Sequence, residues 1–449
     1  MSEVLDHYLQ ESRLTSTTEG GRLVLETAAG MTPAGLIANP VFFSGAMSRP
    51  DVAAAGLRSL VEIASTRYFN PIPGGFASLD PVVTAQGDRL RCEAFSACNG
   101  VYARLDLLSD SFDEASLGFG TTNIDINAPL ALALASVRAQ DRLHLSVGPE
   151  HIEFETPHGV ATERKVKLPE RWVRALAETQ SLATMLQPRA RLDAMAWRRF
   201  VNALSMSGGS GAGQSMWLVP SGASLRQTSR AQVGAIALSG TARLSALKRL
   251  QHLVQSVNIY GPSVSAETRA AISAWEFLLP GARLTLMLSP EPYRGFSGEG
   301  AMLQVLGKAQ AEDALTIGEL LAWEAHIDQP GLAREMDVPE TRIHQGLQVL
   351  ASAGQVGFDL QEQSYFHRLL PFSESRLEKN YPRLAAAREL IALDAVKPDG
   401  DRLRVHSEQH FHWVNPTPGS ERCTCYFWSK YQGSRGPCKH ILAAQLYMS

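Results

Sequence analysis

The C-terminal fold is decided by the stretch Cys423-Thr424-Cys425, twelve further residues, and then Cys438-Lys439-His440. Three thiolates and one imidazole form a donor set that suits a tetrahedral structural zinc ion. Within each pair the ligands are two residues apart, so one tight stretch of backbone can supply both. The segment between Cys425 and Cys438 predicts a short hairpin that returns the second pair to the first.

The residues that follow the second pair predict a helix. The run Ile441–Tyr447 is largely apolar, and Pro437 stands just ahead of it. A helix that starts beside Cys438 places the positive end of its dipole near a thiolate. Because four protein ligands leave no open position for water, we predict one structural zinc ion rather than a catalytic one. Its ligands are Cys423, Cys425, Cys438 and His440.

Two other interpretations of this region were weighed. Buried thiols or a disulfide could explain the cysteines, but a Cys-x-Cys disulfide is strained by its short reach. Three nearby histidines could compete as ligands, at positions 406, 410 and 412. They alternate with mostly apolar residues from Val405 to Val414, which predicts a strand with its histidines facing solvent.

Size and composition limit the function. The chain has 449 residues, 45% of them hydrophobic and 19% charged, which is typical of a globular protein with two to four domains. A net charge of −3 argues against extensive wrapping of nucleic acid, so such a contact would be local. The five cysteines are an odd number, and three are assigned to zinc, which indicates a reducing, cytoplasmic location. The polar start Met1–Asp6 does not resemble a signal peptide, and the apolar run 128–135 is too short to cross a membrane.

The pattern along the chain predicts a multi-domain α+β protein. A helix is expected over 50–65, alternating strands over 88–107, and a hairpin around the turn Pro280-Gly281. We predict four domains: an N-terminal α+β domain at 1–207, a second α+β unit at 214–295, a winged helix-turn-helix-like domain at 300–372, and a zinc-finger domain at 376–449.

The winged-helix prediction rests on three short helical patterns followed by a hairpin. The third helix begins near Pro339, and the hairpin covers 356–370. A recognition helix in a DNA groove should be basic, whereas this one offers mainly Arg342. The wing adds His367 and Arg368. DNA recognition and packing against protein both remain open for this unit.

The zinc segment offers a second set of nucleic-acid-binding residues. Lys430, Arg435 and Lys439 are interleaved with aromatic residues that include Trp428. Cations on phosphates and aromatic rings on bases are the usual means of holding a single strand. The same rings could instead form the small core of the finger.

Catalytic motifs are not apparent. Gly208–Ser215 fits the phosphate-loop template except that Gln214 replaces its lysine, so we interpret it as a linker. The sequence contains no G-x-S-x-G and no H-E-x-x-H motif. The alternative to a binding protein is an enzyme with an unrecognised active site in residues 1–295.

The CxC and CxH pairs, with the apolar helix after them, resemble the SWIM zinc finger at all four ligand positions. Val41–Gly45 and Gly118–Asn123 in the first part are similar to bacterial SWIM zinc-finger family proteins. This resemblance implies a recognition or adaptor subunit that accompanies a MoxR-type AAA+ ATPase and a von Willebrand A protein. It also implies that the finger binds DNA or protein.

Overall fold

The computed structural model describes residues 10–18, 20–69, 80–124, 126, 128–148, 170–204, 215–291, 293, 295–296, 300, 303, 311–370, 382–408, 410–417, 419–433 and 435–448. The predicted linker at Gly208–Gly213 lies outside these residues. Helices and strands are mixed throughout, in agreement with the predicted α+β class. Among the described residues, no helix is both long and apolar enough to span a membrane.

The first part of the chain supplies twelve strands and four helices among the described residues. The strands are β1 (Arg13–Thr17), β2 (Gly20–Leu25), β3 (Gly30–Thr32), β4 (Gly35–Ile37), β5 (Phe43–Met47), β6 (Val82–Gln86), β7 (Leu90–Phe95), β8 (Val101–Leu107), β9 (Phe112–Leu117), β10 (Phe119–Asn123), β11 (Leu143–Val147) and β12 (Gln187–Asp193). The helices are α1 (Pro50–Ser65), α2 (Ala128–Ala133), α3 (Glu170–Ala183) and α4 (Ala194–Ala203).

The rest of the chain continues with strands and then helices. The strands before residue 300 are β13 (Ser215–Ser221), β14 (Ser224–Thr228), β15 (Ile236–Ser239), β16 (Ser256–Gly261), β17 (Ser273–Leu279) and β18 (Ala282–Leu288), with a 3₁₀ helix at Thr241–Leu250. Beyond them lie α5 (Ala311–Leu320), α6 (Gln329–Glu335), α7 (Glu340–Ser352), β19 (Val356–Asp359), β20 (Ser364–His367), α8 (Pro382–Ala392), β21 (Val396–Asp399), β22 (Arg402–Ser407), β23 (His410–Asn415), β24 (Arg422–Cys423), α9 (Tyr426–Tyr431) and α10 (Lys439–Met448).

Several local predictions are confirmed. Helix α1 covers the predicted range, with Pro50 in its first turn, where its missing N–H is not needed. Strands β17 and β18 form the predicted hairpin, in which Gly281 adopts a positive φ of 70° that suits glycine. Such features depend on residues close together in sequence, so local pattern is enough to predict them.

A ten-stranded sheet spans both segments that were predicted to be separate α+β domains. Its order is β12-β16-β17-β18-β8-β7-β6-β10-β3-β4. Strand β8 pairs with β18 over seven residues, and β12 pairs with β16. Strand pairing therefore crosses the predicted boundary at 208–213, because 1–207 and 214–295 both supply strands to one hydrogen-bonded sheet. The boundaries near 300 and 376 remain predictions.

One face of this sheet carries buried charged residues that are covered by the β19–β20 hairpin. Asp359, at the end of β19, accepts hydrogen bonds from Arg91 (2.6 Å) and Arg283 (2.9 Å) and forms an ion pair with Arg104 (3.1 Å). The ring of Phe366 lies 4.1 Å from the guanidinium carbon of Arg91. These charges hold the hairpin against the sheet, and alternation alone would have assigned them to solvent.

The covered hairpin corrects the role expected for its wing residues. Arg368 is fully buried and ion-paired with Glu93. His367 accepts a hydrogen bond at Nδ1 from the backbone N–H of Trp323 (2.8 Å), and burial lowers the pKa of His367 to about 4. Neither residue is available as a surface cation. Three helices followed by a hairpin are present at 311–367, but their identity as a winged helix stays a prediction.

Candidate metal centre

Each of the four zinc ligands occupies a defined place in the C-terminal unit, which we define as residues 382–448. Cys423 ends β24 and Cys425 caps the N-terminus of α9. Cys438 lies directly before α10, and His440 is in its first turn. The segment between the pairs contains the short helix α9 instead of the hairpin expected from sequence, because the Sγ of Cys425 accepts the N–H of Trp428 and starts a helical turn.

The donor atoms converge on one point. All four ligand atoms lie within 4.8 Å of one another, and all four residues are buried. The Sγ of Cys423 is 3.7 Å from Nδ1 of His440. A tetrahedral zinc with ordinary bond lengths would set such an edge at about 3.6 Å. The cysteines are free thiols, which excludes the disulfide interpretation. The cluster therefore fits one structural zinc ion.

The electrostatics of the cluster also favour a bound cation. Hydrogen bonds from the thiols of Cys423 and Cys438 lower the pKa of Cys425, whereas the same contacts raise the pKa of Cys423. Crowded thiols thus stabilise one thiolate at the expense of another. Backbone N–H groups donate to the sulfurs of Cys423 (from residue 425, 3.4 Å) and Cys438 (from Ile441, 3.5 Å). A divalent ion would allow all three sulfurs to ionise together.

Sequence reasoning missed the residue that supports the metal-binding loop. Arg383, in α8, donates hydrogen bonds to the backbone carbonyls of Arg435 and Pro437, both at 2.8 Å. Its guanidinium also lies 4.9 Å from the ring centroid of Phe427. Gly436, at φ 71°, has no room for a side chain because the backbone of Gly300 is too close. No local motif marks Arg383, since its partners lie more than fifty residues away.

Comparison with known proteins agrees with this geometry. Residues 412–447 match the SWIM zinc finger family. This segment is a SWIM zinc finger. No curated protein sequence matches the chain.

Two of the solved structures that resemble part of the chain are sliding-clamp proteins. One is the proliferating cellular nuclear antigen of Entamoeba histolytica, with a TM-score of 0.32, 13% identity, and coverage of 56% of this chain and 100% of that chain. The other is the PCNA2–PCNA3 complex of Sulfolobus tokodaii, with a TM-score of 0.34, 11% identity, and coverage of 56% and 99%. Likeness at this level carries no argument about the function of this chain.

The strands beside the SWIM finger correct the expected direction of the histidines. Ser407 pairs with His410, so even-numbered residues of β22 share a face with odd-numbered residues of β23. His406 faces solvent as predicted, but His412 turns inward and its ring stacks 4.1 Å from that of His440. Phe411 and Trp413 take the solvent side in its place. A single alternating pattern was read across two strands, and the turn between them inverted its sense.

The predicted nucleic-acid-binding residues of the SWIM finger occupy different environments. The ammonium of Lys430 lies over the ring of Tyr431 (5.3 Å), and so does the guanidinium of Arg435 (4.7 Å). Lys439 is ion-paired with Glu408, across 3.2 Å. Trp428 is half-buried and packs against the core, as the alternative interpretation of the aromatics predicted.

Arg342 lies apart from this group, on α7. Its Nε donates to Oδ2 of Asp313 (2.7 Å), and this hydrogen bond is the main reason that the pKa of Arg342 is raised. Helix α7 packs against α3 and α5, and Gln348, considered as a base reader, is buried. The structure thus brings together the four zinc ligands but not the full set of predicted nucleic-acid contacts.

Proposed function

We propose that this protein is a non-catalytic recognition protein that binds its partner through the zinc-dependent C-terminal unit. The observation that carries the proposal is the closed set of four buried protein donors. Four ligands leave no site for substrate or water, so the ion would serve to fix the unit's shape. The unit also exposes large aromatic side chains, among them Phe411, Trp413 and Tyr426, which is typical of a contact surface.

The alternative, an enzyme with a site in residues 1–295, has less support. Carboxylates do converge there, at Glu93, Asp106 and Glu276, but all three are buried. Arg368 neutralises Glu93, and Arg91 and Arg104 neutralise Asp106. Such an arrangement holds the hairpin in place but does not present an acid or a base to a substrate.

The resemblance described above supplies the partner class. We propose a MoxR-type AAA+ ATPase and a von Willebrand A protein as partners, in the cytoplasm, with this chain as the adaptor. The buried third helix and hairpin support a winged helix-like unit at 300–372 that packs within the protein instead of reading DNA. Nucleic acid, bound locally at the C-terminal unit, is the second partner class.

Binding measurements on the full-length chain test the proposal. The wild type and Cys438→Ser would each be titrated with the purified ATPase, the von Willebrand A protein, and single- and double-stranded oligonucleotides. We expect at least one partner to bind the wild type and to be lost in Cys438→Ser. Cys98→Ser, the same change outside the zinc site, should bind normally. Equal binding by the zinc-free variant, or no binding to any of these partners by the wild type, would refute it.

A further inference from the structure

The exposed side of the C-terminal sheet, which we call the outer face, has an unusual composition. It is formed by the solvent-facing side chains of β21–β24 and the residue after them: Lys397, Asp399, Arg402, Arg404, His406, Phe411, Trp413, Asn415, Arg422 and Thr424. The opposite face carries Leu403, Val405 and Val414, which are buried beneath α10. Strand alternation therefore separates a packed face from one without a cover among the described residues.

Two large rings lie at the centre of the outer face. Phe411 is 51% exposed and Trp413 is 44% exposed, although both could contribute to a core. They are two residues apart on β23, so their attachment points are separated by about 6.7 Å. This spacing leaves each ring free to stack on a separate flat partner.

The rings are held in position by polar neighbours. The indole Nε1–H of Trp413 donates to Oδ2 of Asp399 (3.1 Å). The guanidinium of Arg404 lies 5.1 Å from the centroid of the Phe411 ring, and His406 lies 4.8 Å away on the neighbouring strand. A preorganised ring loses little conformational entropy when it binds a partner.

Charge identifies the kind of partner. Among the described residues of the outer face, four cations (Lys397, Arg402, Arg404 and Arg422) accompany a single carboxylate, Asp399. The chain as a whole has a net charge of −3, so this local excess of positive charge contrasts with the rest of the molecule. Cations that flank exposed rings match a polymer of phosphates and bases, with phosphates on the cations and bases on the rings.

We infer that the outer face binds single-stranded nucleic acid, with one base stacked on Phe411, a neighbouring base stacked on Trp413, and the phosphates on Arg402, Arg404 and Arg422. This inference rests on the proposed recognition function and specifies its ligand and surface. Duplex DNA binds more weakly, because paired bases do not offer their faces to the rings. The residues differ from the Lys430, Arg435 and Lys439 set that the sequence indicated.

The test uses the full-length protein and labelled oligothymidylate or oligouridylate of about 12 nucleotides, a length within the range bound by one small domain. Fluorescence anisotropy at low salt gives the dissociation constants, and the two oligonucleotides distinguish DNA from RNA as the source. We expect Phe411→Ala and Trp413→Ala each to weaken binding by about 5- to 150-fold. Arg404→Gln should reduce the log–log salt slope by about 0.7.

Two comparisons control for loss of folding. Tyr447→Ala removes a ring of similar exposure from α10, on the other side of the sheet, and should leave affinity unchanged. Trp413→Phe should retain most of the binding lost in Trp413→Ala, since it keeps a stacking ring. Zinc content should be the same in every variant.

Three results would overturn the inference. These are no single-strand binding by the wild type, equal affinity for duplex DNA, or full affinity in the Phe411→Ala, Trp413→Ala double variant with zinc retained. Loss of binding only when Lys430, Arg435 and Lys439 are neutralised would place the contact elsewhere on the finger. If the oligonucleotides fail but the ATPase or the von Willebrand A protein binds in a zinc-dependent way, the proposed function stands and this inference fails.

Discussion

At the scale of single residues, Cys438 joins the metal centre to the last helix. Its sulfur accepts the N–H of Ile441 and lies within the cluster formed with Cys423, Cys425 and His440. A serine at this position would keep the helix start but remove a thiolate ligand. The metal site and the fold of the unit around it therefore depend on the same atom.

We predict that Cys438→Ser lowers the zinc content from one ion per chain to well below one. Zinc contributes about 10–16 kcal/mol of apparent binding free energy in small fingers, so the C-terminal unit should also lose its protection against proteolysis. Elemental analysis of protein purified without chelator gives the stoichiometry. Cys98→Ser should hold the full amount. Full zinc content in Cys438→Ser would contradict the assignment.

Glu276 is a buried carboxyl group that gives a second prediction at this scale. Burial raises its pKa from 4.5 to about 7, and the nearby Asp359 adds to the increase while Arg283 opposes it. The folded state therefore keeps a proton that the unfolded state releases near pH 4.5. Stability is lost as the pH rises from about 4.5 to about 7 and is level above that range.

We predict that Glu276→Gln is more stable than the wild type at pH 8, by up to about 3 kcal/mol at about 1.4 kcal/mol per pKa unit. At pH 5 the two proteins should differ by less than about 1 kcal/mol, because both side chains are then mostly neutral in the fold. Urea denaturation at both pH values measures the difference. A gain that does not depend on pH would show that Glu276 does not titrate as described.

At the scale of elements, the β19–β20 hairpin is attached to the large sheet through Asp359. Burial alone would raise the pKa of this carboxyl, but Arg104, Arg91 and Arg283 outweigh it and hold the pKa well below its usual range. The stabilisation is present above the ordinary carboxyl pKa of about 3.9 and is lost as the pH falls through the lower folded-state value. Acid should therefore release the hairpin.

We predict that Asp359→Asn destabilises the protein by about 3–5 kcal/mol near neutral pH, because three arginines lose their shared buried partner. The midpoint of urea unfolding gives the change. Asp394→Asn is the matched control: this carboxylate is exposed and ion-paired with Lys397, and its loss should cost about 0–1 kcal/mol. If the two variants unfold alike, the buried cluster does not stabilise the hairpin.

At the scale of the whole molecule, one sheet joins segments that are distant in sequence. Strand β18 pairs with β8 from Ala282↔Leu107 to Leu288↔Val101, and the covering hairpin comes from beyond residue 355. The backbone on the two sides of 208–213 is thus linked by strand hydrogen bonds and not only by the chain.

We predict that cutting the chain at a protease site inserted within 208–213 leaves the two fragments associated. They should co-elute during gel filtration under native conditions, because pairing of β8 with β18 and of β12 with β16 does not require the connection. The same digest in urea should separate them. Native fragments that elute apart would show that the predicted domains fold and stand independently.

The sequence by itself determined features that arise from neighbouring residues. The zinc ligands are two residues apart in each pair, helix α1 follows a 3.6-residue pattern, and the β17–β18 hairpin follows a Pro-Gly turn. Their physical causes lie in local hydrogen bonding, local conformational preference and ligand chemistry. For that reason the metal site could be predicted, and the comparison with the SWIM family agrees with it.

Only the tertiary structure decided which charged and aromatic residues face solvent. Arg91 alternates with apolar neighbours as a surface residue would, yet Asp359, 268 residues away, buries it. Phe411 and Trp413 follow a core-like pattern, yet the register of β22 with β23 turns them outward. Burial depends on which strand or hairpin lies above a residue. That contact is made across long sequence distances, so no pattern within a single segment records it.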